Sequence, residues 1–224
     1  MEPFSASHDL IGKSASAYEH LRRSVVRGQL RPGRRLSPTD LANVFKISVT
    51  PVREALVRLA AEGFIAWEAS HGYFTKPFTV KEQQDLHETL AVNAAACLQA
   101  VYGEPHPVLT KVAIEAPAHG QAADYADLLD TLGALLAERL GNLVLQAVMA
   151  TLLDRTQLIR RLDIADDTQL ATIAGRMRIL ASAVLAADIG RAEATLATHL
   201  AARQARLPQL VDQANALGQR ARYP

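Results

Sequence analysis

Leu36–Gly72, LSPTDLANVFKISVTPVREALVRLAAEGFIAWEASHG, decides the fold. It divides into two short helical segments, a tight connection between them and a pair of strand-like runs. The first segment, Thr39 to Phe45, carries apolar Leu41, Ala42, Val44 and Phe45. The second opens at Thr50-Pro51, where a hydroxyl can cap a helix and proline suits the first turn, whose N–H groups lack helical partners. Val52, Ala55, Leu56, Leu59 and Ala60 then recur at helical spacing and form one apolar stripe. Arg53, Glu54, Val57 and Arg58 fall off it. Gly63 ends the helix. Phe64–Trp67 and Tyr73–Thr75 alternate as two strands around a tip at Ser70-His71-Gly72. Two helices and a hairpin in this order make a winged helix-turn-helix. The exposed, hydroxyl-bearing and cationic start of the second helix suits phosphate contact and entry into a DNA major groove.

The rest of the chain is read outward from that stretch. With 224 residues there is room for one large domain or two ordinary ones. Hydrophobic residues make up 49% but aromatics only 5%, which points to packed helices with an aliphatic and alanine core. A single cysteine, Cys97, excludes an internal disulfide framework and fits a reducing compartment. No long uncharged apolar run and no apolar signal core occur, so a soluble, cytoplasmic protein without membrane contact is expected. Charge is uneven. Residues 1–76 hold 11 Lys and Arg against 7 Asp and Glu, whereas residues 77–224 hold 13 against 16. A basic N-terminal third suits a polyanionic partner.

Residues 1–13 show no periodicity and are expected to form a mobile arm. A helix is expected from Ser14 or Ser16 through Gln29, with Tyr18, Leu21, Val25 and Leu30 facing inward. Arg31-Pro32-Gly33 is a turn. The composition changes at Lys76-Pro77-Phe78, which marks the junction between a DNA-binding domain, residues 14–76, and a second domain, residues 77–224. Helices are expected there over Val80–Tyr102, Val108–Ala116, Ala122–Leu140, Leu143–Leu162 and Thr168–Ala187. A last one spans Asp188 to about Ala216, kinked or interrupted by Pro208. The expected fold class is therefore mostly α: a winged helix-turn-helix followed by an all-α bundle.

The run AYEHLRRSVVRGQLRPGRRLSPTDLANVFKISVTPVREALVRLAAEGFI closely resembles the DNA-binding domain of the GntR family of bacterial transcription regulators. Pro32-Gly33, Leu41-Ala42, Thr50-Pro51-Val52-Arg53-Glu54-Ala55-Leu56 and Glu62-Gly63 carry the resemblance. The helical remainder resembles the FadR-type, or FCD, effector domain through ILASAVLAADIGRAEATLATHL, with Asp188, Ala192 and His199-Leu200 in register, and through Gly141-Asn142. The resemblance implies a homodimer on an inverted-repeat operator in double-stranded DNA. It implies contacts from Ser48, Val49, Thr50 and Arg53 at the start of the reading helix, from His71 and Gly72 at the wing tip, and from Thr39 to phosphate. One position departs: the family usually has arginine where Val49 stands, so the operator should differ from the usual half-site.

The effector domain departs further. Many FCD domains hold a divalent metal with one aspartate and three histidines, and receive an effector carboxylate on an arginine. Alignment on Asn142, Asp188 and His199 puts Leu129, Gly133 and Met177 at three of the metal positions, and Leu90 at the arginine. Only His199 survives. No metal and no cofactor are therefore expected, and Leu90, Leu129, Gly133, Met177 and His199 should form a pocket for an effector less charged than the usual organic acid. His87 is expected in a solvated or hydrogen-bonded role, with a pocket-facing one as the alternative, His20 at the surface, His106 and His119 in loops, and Cys97 as a small buried hydrophobe.

The functional expectation is a DNA-binding regulator, a repressor, modulated by a small molecule. The alternative is a constitutive DNA-binding regulator whose helical domain only dimerises. An enzyme is not expected, because no ligand cluster, Gly-rich phosphate loop or nucleophile–base pair is present.

Overall fold

The computed structural model describes residues 5–30, 32–115, 117–118 and 120–219. The chain divides into two compact units. One is Thr79–Gln213, and the other comprises the residues up to Phe78 together with the stretch from Ala214.

In the first unit, α1 (Ser5–Val26), α2 (Pro38–Phe45) and α3 (Val49–Ala61) accompany strands β1 (Arg35–Leu36), β2 (Ile65–Glu68) and β3 (Gly72–Thr75). The helix expected to begin at Ser14 or Ser16 begins at Ser5 and ends at Val26, so residues 5–13 are helical where an arm was expected. Ala17, Tyr18, Leu21, Val52, Ala55, Leu56 and Leu59 meet in one core, with Leu41, Phe64 and Ile65. Those α3 positions are the stripe expected from spacing; Ala60 packs at its edge. The Tyr18 hydroxyl donates to the Glu62 carboxylate, and the Arg58 guanidinium lies 3.8 Å from the Tyr18 ring centroid while donating to Glu62 at 2.9 Å. Helix α1 is thereby tied to the end of α3 by a hydrogen bond, a cation–π contact and an ion pair.

The turn between α2 and α3 is local chemistry. Ser37 caps α2 by accepting from the Asp40 N–H at 3.3 Å, and Pro38 fills the first turn. Lys46 closes the helix in the left-handed region at φ 54°. Helix α3 starts two residues earlier than expected, with Ser48 rather than Thr50 as its cap residue. Gly63, at φ 79°, turns the chain from α3 into β2, a conformation that penalises any residue with a Cβ. The sheet has the order β1-β3-β2, all antiparallel. The third strand, β1, was not expected. Two residues are too short to show an alternation, and pairing of Arg35 with Phe74 and Leu36 with Tyr73 makes it a strand.

The Asn215 side chain holds the backbone of Phe78, accepting from its N–H and donating to its carbonyl, both at 2.9 Å. The boundary falls at Phe78, within the expected junction, and the stretch from Ala214 groups with the first unit.

The second unit is built from α4 (Val80–Gln99), α5 (Pro107–Ile114), α6 (Ala122–Arg139), α7 (Leu143–Asp163), α8 (Asp167–Leu185) and most of α9 (Ile189–Gln219). Side chains cap five of them: Thr79 for α4, His106 for α5, Asn142 for α7, Asp166 for α8 and Asp188 for α9. Asn142 accepts from the N–H groups of both Val144 and Leu145, which explains why asparagine follows the break at Gly141. Helix α9 runs unbroken through Pro208. Leu86, Leu98, Leu109, Tyr125, Leu136, Met149, Ile173 and Val184 lie in one aliphatic core, with Cys97 buried among them as expected. No helix among the described residues is long and apolar enough to cross a membrane.

Candidate DNA interface and helical-domain cavity

Ser48 caps α3 by position alone: its hydroxyl makes no capping hydrogen bond. The hydroxyl and the first N–H groups of α3 are therefore left for another partner, the arrangement that makes a helix N-terminus receptive to phosphate. Ser48, Thr50 and Arg53 are exposed, as are Thr39 and His71. Val49 differs. It is half-buried and packs against the core of the unit, so part of its side chain is already engaged.

A groove of about 690 Å³ runs between α3 and the wing, lined by Arg35, Ser37, Asp40, Arg53, Val57, Gly72 and Tyr73 among others. It brings Arg53 of the reading helix together with Gly72 of the wing tip. The wing turns through Ser70 and Gly72, at φ 68° and 95°, and His71 sits between them with its backbone N–H bonded to Glu68. Arg35 reaches the same groove. Its Nε lies 4.0 Å from where a Cβ on Gly72 would stand. This cation was missed in the sequence because the strand that turns it outward, while burying Leu36, is set by pairing rather than by pattern.

Leu90, Leu129, Gly133, Met177 and His199, all singled out in the sequence, line one cavity of about 130 Å³ in the helical unit. Leu132, Leu136, Met149, Leu153 and Leu180 add to its apolar wall. A Cβ on Gly133 would stand 2.9 and 3.1 Å from the two δ-methyls of Leu153, so the space where a side chain could rise is taken by leucine. Among the described residues no group of three or more His, Cys, Asp or Glu side chains comes together to hold a metal ion. One imidazole and one carboxylate, Asp130, already engaged by Gln157 and Arg160, are two donors short of the four-ligand set a structural zinc takes.

The polar end of the cavity was not anticipated. Arg160, Arg161, Arg203 and Asp130 line it. Arg160 donates to Asp130, to Thr156 Oγ1 at 3.1 Å and to the Leu153 carbonyl at 2.7 Å. Arg161 pairs with Asp127 and lies 3.7 Å from Asp130. Arg203 donates from Nε to Asp163 Oδ2 at 2.9 Å, and Arg206 binds the other oxygen. The signal was available in spacing. His199, Arg203 and Leu207 fall every four residues on the buried side of α9, so a charge stands where apolar periodicity calls for a leucine.

His199 is 6% exposed and its Nδ1 is buried with no hydrogen-bond partner. Burial, with Arg203 next, holds its pKa well below the usual histidine value, so the ring is uncharged at neutral pH. His87 is buried as well. Its Nδ1 meets the Gln83 carbonyl at 2.8 Å, and burial with Arg203 pushes its pKa down to about 3. His20 is exposed and His106 caps α5, while His119 lies outside the described residues.

Comparison with known proteins matches two stretches of the chain. Residues 13–74 match the family described as bacterial regulatory proteins, gntR family, and residues 109–202 match the FCD domain. The Nta operon transcriptional regulator of Aminobacter aminovorans is 43% identical over 61 residues, which is 27% of this chain and only 29% of that protein. An uncharacterised helix-turn-helix regulator from an unstable DNA locus of Streptomyces ambofaciens is 30% identical over 202 residues, covering 83% of this chain and 80% of that protein. Among solved structures, a GntR-type regulator from Rhodococcus sp. RHA1 superposes with a TM-score of 0.70 at 21% identity, over 88% of this chain and 98% of that one. McbR/YncC of E. coli gives 0.65 at 20%, over 88% and 97%. At such identities the two structures speak for the fold alone. The chain spans about a third of the length of the first relatives it matches, but the relative covered to 80% of its length and the two matched domains establish that the chain belongs to the GntR family of bacterial transcriptional regulators, in the branch carrying an FCD domain.

Proposed function

We propose that the protein is a cytoplasmic homodimeric repressor that binds an inverted-repeat operator and is modulated by a small molecule in the cavity of its helical unit. The observation that carries the DNA half is the uncapped start of α3. Ser48, Thr50 and Arg53 stand exposed there, beside a groove whose other wall holds Arg35 and the wing tip. Phosphate contacts from Thr39, Arg35 and the α3 N-terminus would fix register, and Arg53 with the wing residues His71 and Gly72 would read the grooves. A dimer of such units reads two half-sites whose spacing is set by its geometry.

The effector half rests on the cavity. Leu90, Leu129, Gly133 and Met177 leave His199 as the one family ligand position with a polar side chain, which supports an effector less charged than an organic acid–metal pair. Such a molecule acts only by binding the DNA-competent and incompetent arrangements with different affinity. Leu153, packed into the space beside Gly133, favours the second reading of a constitutive regulator whose helical unit only dimerises.

The test is a gel shift with the DNA upstream of the regulator's own gene and its neighbours, at stated salt because phosphate contacts make affinity salt-dependent. Retardation of one fragment, lost in Arg53→Ala, supports the DNA reading; uniform binding to every fragment opposes it. Sedimentation of the free protein then decides between monomer and dimer.

A further inference from the structure

We propose that the cavity of the helical unit takes an uncharged, ring-sized apolar molecule whose single hydrogen-bonding group meets the His199 imidazole. This rests on the effector reading above and names the chemical class of that effector.

Size comes first. The cavity holds about 130 Å³, and an apolar cavity of roughly 150 Å³ in an unrelated protein accepts benzene, so a ligand on the order of six to eight non-hydrogen atoms fits. The wall is the second observation. Leu90, Leu132, Leu136, Met149, Met177 and Leu180 face the space, which rewards an apolar body and leaves most of its perimeter without hydrogen-bonding groups.

The third observation fixes the polar group. Buried polar atoms are paired in the great majority of cases; His199 lines the cavity, and its Nδ1, sealed from water, has no partner until the ring turns it toward a ligand. A ligand hydroxyl or carbonyl supplies the missing partner. The ring is uncharged, so it can either donate or accept there. The fourth observation disfavours a carboxylate. The three cations on the cavity wall, Arg160, Arg161 and Arg203, are each paired with a carboxylate, Asp130, Asp127 and Asp163, and only the Arg161 Nε is left buried without a partner. An entering carboxylate would be desolvated and would have to compete with these acids for guanidinium groups already in use.

The test uses the full chain, with melting and titration calorimetry against phenol, benzyl alcohol and toluene. Benzoate, adipate and zinc ion serve as the charged comparisons. Phenol or benzyl alcohol should bind saturably, at least tenfold tighter than benzoate, and should raise the melting temperature. Ala94→Leu, which fills the cavity, should abolish that binding; Leu129→Phe serves the same purpose should the first variant fail to fold. His199→Leu should weaken phenol by tenfold or more and leave toluene unchanged, a split that loss of structure would not produce. The inference is overturned if benzoate, adipate or zinc binds as tightly as phenol, if a folded filled variant still binds, or if no ring-sized probe binds at millimolar concentration. Failure of the gel shift alongside phenol binding would sink the operator reading and leave the ligand class standing. Operator binding without any ring-sized ligand would do the reverse.

Discussion

Arg203 of α9 and Asp163 of α7 form an ion pair at 2.9 Å whose side chains are only 7% and 3% exposed. Charges so far from water are tolerated because each neutralises the other, and removing one strands its partner. Asp163→Asn should therefore cost about 3–5 kcal/mol in urea unfolding. The double variant Asp163→Leu, Arg203→Met should recover most of that loss, since the apolar pair needs no compensation and Arg206, which also binds Asp163 but is 25% exposed, can turn to water. A loss below about 1 kcal/mol for Asp163→Asn would show that Arg203 finds another counter-charge or water.

Two buried histidines make stability depend on acid. His87, with its pKa at about 3, and His199, also lowered, bind no proton in the folded state at pH values where the unfolded chain, near 6.5, already does. The sign follows from linkage: wherever the unfolded state holds more protons, stability falls as pH falls. The contribution is intact above pH 6.5 and is lost progressively below it. For His87 the slope is about 1.4 kcal/mol per pH unit, or roughly 2 kcal/mol between pH 6.5 and 5. Urea melts at the two pH values should show it, and His87→Gln should flatten the dependence even if it lowers stability at both. An unchanged slope in that variant would remove His87 from the account.

What the sequence disclosed and what it withheld follow one physical line. The α3 stripe, its stop at Gly63 and the wing tip at Gly72 were legible because spacing and turn chemistry are local. So were the five cavity residues, since the family register places Leu90, Leu129, Gly133, Met177 and His199 on helices whose packing brings them together. Strand β1 was hidden because two residues carry no period, and Arg35 was hidden with it. Arg160 and Arg203 went unnoticed because a charged residue is usually read as solvated. Their burial depends on Asp130 and Asp163, 30 and 40 residues away in the chain.

The Tyr18–Glu62 hydrogen bond gives a sharper test of the first unit. Burial and the bond to Glu62 push the Tyr18 hydroxyl up to about 12, so it remains a donor throughout the accessible pH range. Tyr18→Phe removes the donor and keeps the ring beneath Arg58. The expected loss is about 1.5–3 kcal/mol, the range for hydrogen bonds to charged groups, measured on the DNA-binding unit's transition. Tyr18→Leu should cost more, because the cation–π contact goes too. Equal losses in the two variants would assign the whole effect to the hydroxyl.

Val49 decides how unusual the operator is. It stands between Ser48 and Thr50, where the family usually has arginine, and it packs partly against the core while its two neighbours are exposed. Val49→Arg must carry its guanidinium outward along a long apolar stem, which such a side chain can do at modest cost in stability. If position 49 faces the bases, the variant should gain a preference for guanine at one position of each half-site, about 1–3 kcal/mol of discrimination, and should shift the footprint toward the usual family sequence. Arg53→Ala supplies the control. Loss of a guanine contact would relax specificity at a single base pair, whereas loss of a phosphate contact would weaken all sequences alike and lower the salt slope by about one. Val49→Arg binding with unaltered sequence preference, in a protein that melts as the wild type does, would mean that residue 49 belongs to the core and that Ser48, Thr50 and Arg53 read the operator without it.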